Sequence, residues 1–142
     1  MSNEAFITSR LSIRRGNLNY RDPSAGGFRA DVSASVGPSP GYILVPTAGV
    51  QVSFPQLVTP GLVWVQNLDD TNYFELGIKD PGTGLFYPLM ELLPGESFPF
   101  RFSRNLLEDY TNVGTGTSGD VNYLWAKANG AAVGVIFDAF EK

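Results

Sequence analysis

The chain has 142 residues, a formal net charge of −4, 43% hydrophobic and 17% charged residues, and neither cysteine nor histidine. Those two absences exclude disulfides, thiolate nucleophiles, Cys- or His-type metal sites, histidine-based triads and histidine pH switches. The length suits one domain, no apolar run reaches the roughly 18 residues of a membrane span, and the negative charge argues against a phosphate backbone as main partner.

Glycine (16) and proline (10) are abundant. They fall between short apolar runs, as in β-domains with many turns. The charged fraction lies below the roughly 25% usual for soluble domains. Either neutral polar residues make up the surface, or much of it packs on other protein. The start carries no basic–apolar–small pattern, so no secretory signal is expected.

Residues 1–5 read as a loose terminus. Phe6–Arg15 has weak β character, Gly16-Asn17 turns into Leu18–Tyr20, and Asp22–Gly27 is a loop. Residues 1–27 are expected to form an edge hairpin or an extended arm, ahead of a β-sandwich domain over residues 28–142. Five of the ten basic residues, Arg10, Arg14, Arg15, Arg21 and Arg29, lie in the first 29 positions.

Phe28–Val36 alternates apolar and polar residues, which predicts a half-buried strand of the core. Gly37–Gly41 breaks it, because its prolines cannot donate to a ladder. Tyr42–Val45 is a short strand, and Thr47-Ala48-Gly49 turns the chain. Val50, Val52 and Phe54 line the next strand, which Pro55 ends. Pro60-Gly61 is a turn pair. Leu62, Val63, Trp64 and Val65 are all apolar, which predicts cover on both faces of that strand. One face would be core; the other would meet an arm, a loop or another subunit.

Asn67–Asn72 is a turn whose short polar side chains can bond their own backbone. Tyr73–Lys79 places Phe74, Leu76 and Ile78 on one face. Asp80–Gly84 turns, Leu85–Met90 returns, and Pro94-Gly95-Glu96 leads into a strand with Phe98, Phe100 and Phe102 on one face. Arg104–Tyr110 reads as a helical turn or two, and Thr111–Asp120 as an exposed loop. Val121–Ala128 alternates again, Asn129-Gly130 is a hairpin signal, and Ala131–Phe140 is apolar enough for the centre of a sheet. The expected fold is all-β: an antiparallel β-sandwich of eight or nine strands, jelly-roll-like, with an immunoglobulin-like order fitting almost as well.

Asn67, Asp69, Asp70 and Asn72 offer oxygen ligands suited to Ca²⁺. Their spacing is not that of an EF-hand, and turn capping explains the cluster without a metal. Glu75, Glu91, Glu96, Asp80 and Asp120 could supply paired carboxylates for glycoside hydrolysis, but no spacing fixes a pair. Gly114, Gly116 and Gly119 lack the Lys-Ser/Thr of a phosphate loop. Trp64, Tyr73, Phe86, Tyr87, Tyr123 and Trp125 could stack on a sugar, or pack as core and cross-strand pairs.

Asn67–Gly77, NLDDTNYFELG, followed by the Pro94-Gly95-Glu96 turn and a closing apolar strand, resembles small virion proteins of tailed bacteriophages. The resemblance spans Val45–Phe102, under half of the chain. It does not reach residues 1–27 or Thr111–Asp120. It implies a β-sandwich built into a phage particle, as a capsid decoration protein or as a head–tail or tail component.

The expected function is therefore structural and non-enzymatic: capsid decoration or cementing within the virion, by protein–protein assembly and without cofactor or metal. The expected partners are copies of the chain and other virion proteins such as the major capsid protein, with no membrane, nucleic acid disfavoured and a glycan left open as a further partner. Arg10, Arg14, Arg15, Tyr20 and Trp64 are the candidate assembly contacts, the arginine segment meeting acidic surface on a neighbour. A carbohydrate-binding β-sandwich module is the first alternative, and needs an exposed aromatic pair on one strand face. A head–tail or tail component is the second. A small β-sandwich hydrolase would need two carboxylates converging in a cleft.

Overall fold

A computed structural model describes residues 4–7, 12–21, 28–31, 37–58, 60–80, 82–103 and 123–141. Among these the chain is all-β. The strands are β1 (Glu4–Ile7), β2 (Ser12–Arg15), β3 (Leu18–Arg21), β4 (Phe28–Asp31), β5 (Ser39–Val45), β6 (Val50–Gln51), β7 (Pro60–Asn67), β8 (Phe74–Lys79), β9 (Phe86–Leu92), β10 (Ser97–Arg101), β11 (Tyr123–Ala128) and β12 (Val133–Glu141). No helix among the described residues is long and apolar enough to cross a membrane.

Strands β5 to β12 form a β-sandwich of two four-stranded antiparallel sheets, ordered β10-β7-β12-β5 and β6-β11-β8-β9. The eight strands pair from the outside inward: β5 with β12, β6 with β11, β7 with β10 and β8 with β9. Period two makes the core. Val63 and Val65 of β7 and Val133, Val135 and Phe137 of β12 point inward from the first sheet; Phe74 and Leu76 of β8 and Ala126 and Ala128 of β11 meet them from the second. Phe74 and Phe137 touch edge to face across the layers, with ring centroids 6.2 Å apart. Phe98 and Phe100 of β10, and Phe102 beyond it, pack against this core, half-buried. The last strand, β12, is central in its sheet, as its apolar sequence predicts.

Four departures from the sequence reading have physical causes. Phe28–Asp31 joins neither sandwich sheet; it pairs with Glu4–Ile7 across residues 8–27. Alternation assigns residues to faces but does not say which strand is the neighbour. Strand β6 is only Val50–Gln51, yet Val52, Phe54 and Leu57 stay buried, so apolar burial continues where ladder pairing stops. Asn129-Gly130 does not close a hairpin, because β11 and β12 lie in different sheets. Asn129 instead pairs with the turn before β8: Tyr73 N donates to its Oδ1 and its N donates to Tyr73 O. Finally, cover on the outward side of Leu62–Val65 is uneven within the chain: Leu62 is buried, whereas Trp64 retains 36% of its exposure. Within Phe6–Arg15 and Val121–Ala128 the described residues lie in β1, β2 and β11, and Arg104–Tyr110 and Thr111–Asp120 lie outside the described residues.

Candidate assembly surface

The edges of the sandwich decide how another chain can approach. In an antiparallel ladder, hydrogen-bonded and non-bonded pairs alternate. Asn67 N donates to Glu96 O and Phe102 N to Gly61 O, each at 2.9 Å. Between those two bonds the alternation gives Phe98 and Phe100 to β7 and aims the backbone of Ser97, Pro99 and Arg101 at the outer edge of β10. Asp80 N donates to Leu85 O, so Phe86 and Pro88 aim at the outer edge of β9. Leu68 N donates to Gly134 O, which leaves Pro40, Tyr42 and Leu44 at the outer edge of β5. Each of these edge strands thus has a proline where an outward N–H would stand, and the remaining edge, β6, is two residues long. Such devices oppose strand addition.

The faces differ from one another. The outer face of the second sheet carries polar and charged contacts, and its edge strand β9 exposes Tyr87 and Leu89. Lys79 Nζ sits 4.0 Å above the Trp125 ring, and Glu75 stands opposite Lys127 on one side and Glu91 on the other. The outer face of the first sheet is apolar. Tyr42 and Leu44 of β5, Trp64 of β7 and Leu68 just beyond it are exposed, at 63%, 56%, 36% and 47%. Ile136 of β12 stands between Tyr42 and Gln66 in the register, and Pro99 stands beside Trp64. A short row, Leu44, Gly134 and Leu68, crosses three strands. The border of this patch carries Asp138 beside Trp64, Asp69, Asp70 and Glu96 in the turns next to Leu68, and one cation, the exposed Arg101, two residues along β10 from Pro99.

Those turns are built around Asn67, which is fully buried. Its amide donates to the carbonyls of Asn72, Leu92 and Leu93 at 3.0–3.1 Å, and its Oδ1 accepts from Asp69 N at 2.9 Å. Asp69 Oδ1 accepts from Thr71 N, Asn72 N and Asn72 Nδ2. The amides of Asn72 and then Thr71 hold the Asp69 carboxyl below the usual aspartate value. The Asn67–Asn72 cluster is thus a set of turn caps, its first carboxylate filled by N–H donors. Among the described residues, no group of three or more His, Cys, Asp or Glu could hold a metal.

Asp80 and Glu96 also serve turns, while Glu75 and Glu91 stand opposite each other in β8 and β9. Asp80 accepts from Gly82 N and Thr83 Oγ1, and its pKa is lowered, by the Thr83 hydroxyl first and the Gly82 amide second. Glu96 Oε2 accepts from Leu93 N. Asp120 lies outside the described residues, as do Gly114, Gly116 and Gly119.

Of the sequence-predicted contacts, Arg14, Arg15 and Tyr20 come together in the β2–β3 hairpin, with Ile13 opposite Tyr20, Arg14 opposite Asn19 and Arg15 opposite Leu18. Arg14 is exposed. Trp64 lies on the open face of the first sheet, and Arg10 lies outside the described residues. Tyr42 and Leu44 are additions the sequence could have supplied: Tyr42-Ile43-Leu44-Val45 is apolar at every position, the same signal that singles out Leu62–Val65. No family model, curated protein or solved structure matches the chain.

Proposed function

We propose that this chain is a structural, non-enzymatic protein of a bacteriophage particle, acting in capsid decoration or cementing by packing against copies of itself and against other virion proteins such as the major capsid protein. The observation that carries the reading is the apolar outer face of the first sheet, set between edges that resist strand addition. A face of this kind suits lateral packing of one domain on another. The outside-in pairing of the eight strands supports a jelly roll, an architecture used in capsid proteins and in lectins. The low charge, 17% of residues, fits a surface that is largely in contact with protein. The same features fit a head–tail or tail component.

Mass spectrometry of density-purified particles from a culture that encodes the chain tests this. Recovery of the chain in fixed ratio to the major capsid protein is expected. Its presence only in the particle-free lysate would overturn the reading.

One observation favours a second reading, a carbohydrate-binding module. Trp64 and Tyr42 share an open sheet face and flank β12, and aromatic pairs on a flat face can stack on sugar rings. Retardation of the protein in polysaccharide gels, lost in Trp64→Ala, is its expected signature.

A further inference from the structure

We propose that the open face of the first sheet receives the arginine-bearing β2–β3 hairpin of a second copy, so that copies join head to tail. The inference rests on the assembly reading above and names its two surfaces.

Three observations lead to it. First, the face is open among the described residues: Tyr42, Leu44, Leu68 and Trp64 are all exposed. An apolar patch rimmed by polar groups marks an interaction site. Second, the hairpin stands in neither sandwich sheet. Its ladder is two strands of four residues, and a two-stranded hairpin is marginal in water unless it packs on something. Third, the charges are complementary. Arg10, Arg14, Arg15, Arg21 and Arg29 outnumber Glu4, Asp22 and Asp31 over the first 31 residues. The rest of the chain is acidic, and the patch has Asp138 on one border and Asp69, Asp70 and Glu96 on another. Opposite charges at a rim steer encounter and set orientation.

In the ladder of the hairpin Ile13, Arg15, Leu18 and Tyr20 share one set of alternate positions, so that set holds both kinds of group the patch requires: apolar residues for its centre and an arginine for its acidic rim, with Arg14 in the other set. Two different surfaces on each copy make the contact heterologous. Such contacts close into rings or run on as filaments, according to the rotation between copies.

The test uses full-length protein and two disabled variants. Tyr42→Glu/Leu44→Glu removes the face at its two most exposed positions, and Arg14→Glu/Arg15→Glu reverses the hairpin. Light scattering after size exclusion, over about a hundredfold range of concentration, reads the mass. Wild type should grow beyond a dimer, and each variant should associate at least about 30-fold more weakly, the cost of losing a strong contact. Mixed one to one, the two variants should form a dimer and stop, because the pair retains one intact face and one intact hairpin. A mixture that stays monomeric would overturn the inference, as would a face variant that assembles like wild type.

Thermal unfolding of each variant controls for folding, and the single exchange Leu44→Ser provides a milder probe of the face. Wild type that is monomeric throughout also overturns the head-to-tail contact. The structural role would survive that result if the chain is found in purified particles. Retention on polysaccharide that the Tyr42→Glu/Leu44→Glu variant loses would assign the face to a glycan instead.

Discussion

The ring of Tyr42 lies across the bare backbone of Gly134. A Cβ built at Gly134 would stand 3.1 Å from Tyr42 Cε2 and 3.2 Å from its Oη. Glycine in a strand interior costs about 0.5–1 kcal/mol relative to alanine, and here its lack of a side chain lets an exposed aromatic ring lie against β12. Gly134→Ala is expected to change stability by less than about 1 kcal/mol, because the ring is at the surface and can shift. Gly134→Val should lift the ring further and weaken self-association more than it alters the urea midpoint. Association of the valine variant at wild-type strength would show that the ring's position does not matter.

Asn67 is the structural centre of the turn end. It joins the turn before β8 to the turn after β9 through three donated hydrogen bonds and one accepted bond. Asn67→Ala leaves three carbonyls without that donor and is expected to cost about 3–5 kcal/mol, since each buried unsatisfied group costs roughly 1–3 kcal/mol and some will find water. Asn67→Asp should be worse at neutral pH. Its carboxylate has no N–H to offer and would face three carbonyl oxygens. Urea denaturation of both variants checks the order; an aspartate variant more stable than the alanine one would contradict the donor role.

Gly77 is required by a close approach of backbone. The ladder between β8 and β9 shifts register between Leu76 and Gly77, and a Cβ at Gly77 would meet Tyr87 O at 2.1 Å and Pro88 Cα at 2.8 Å. Backbone cannot rotate away as a side chain can. Gly77→Ala is therefore expected to destabilise by about 2–3 kcal/mol, in the range of forced overpacking, with a matching drop in thermal midpoint. A change under about 0.5 kcal/mol, as at an ordinary surface site, would show that β9 yields freely there.

Period two explains why much of the sandwich is legible in sequence. Phe74, Leu76, Val135 and Phe137 alternate with more exposed residues, and all four are buried. Tyr42 escapes the same logic because Ile43 and Val45 beside it are also apolar, so alternation assigns no outward side. The partner of Phe28–Asp31 is hidden for another reason: Glu4–Ile7 is distant in sequence, and faces can be read where neighbours cannot. Asn129-Gly130 misleads because a hairpin signal is local, whereas the bonds to Tyr73 that place this turn are long-range. The site is the least legible part. Trp64 stands out as an aromatic residue within an apolar run, but the proline edges emerge only from ladder parity.

Acid should loosen the turns selectively. The carboxyls of Asp69 and Asp80 are both held below the ordinary 3.8, by N–H donors and by N–H and hydroxyl donors respectively. A lowered folded-state value means that the contribution is fully present above the unfolded value and is lost as pH falls through the folded one. Stability should therefore decline as pH drops below about 4, and Asp69→Asn/Asp80→Asn should show a shallower decline over the same interval. Urea midpoints taken at several pH values test this. Parallel curves for wild type and variant would mean that these two carboxyls do not drive the acid response.

Pro99 and Pro88 occupy positions whose backbone faces outward from β10 and β9, so neither removes a bond from its own ladder. Replacing them costs the fold little and restores an outward N–H at each edge. Pro99→Thr/Pro88→Thr is expected to remain folded, with a midpoint within about 1 kcal/mol of wild type, because threonine suits an edge strand. The same variant should aggregate faster, with a rise in thioflavin fluorescence, because two edges now offer donors to another strand. Pro99 stands beside Trp64 on the apolar face, whereas Pro88 lies in the other sheet, so Pro88→Thr alone separates the expected gain in edge pairing from face-directed assembly. If the variant stays as soluble as wild type on prolonged incubation at high concentration, the prolines do not guard these edges.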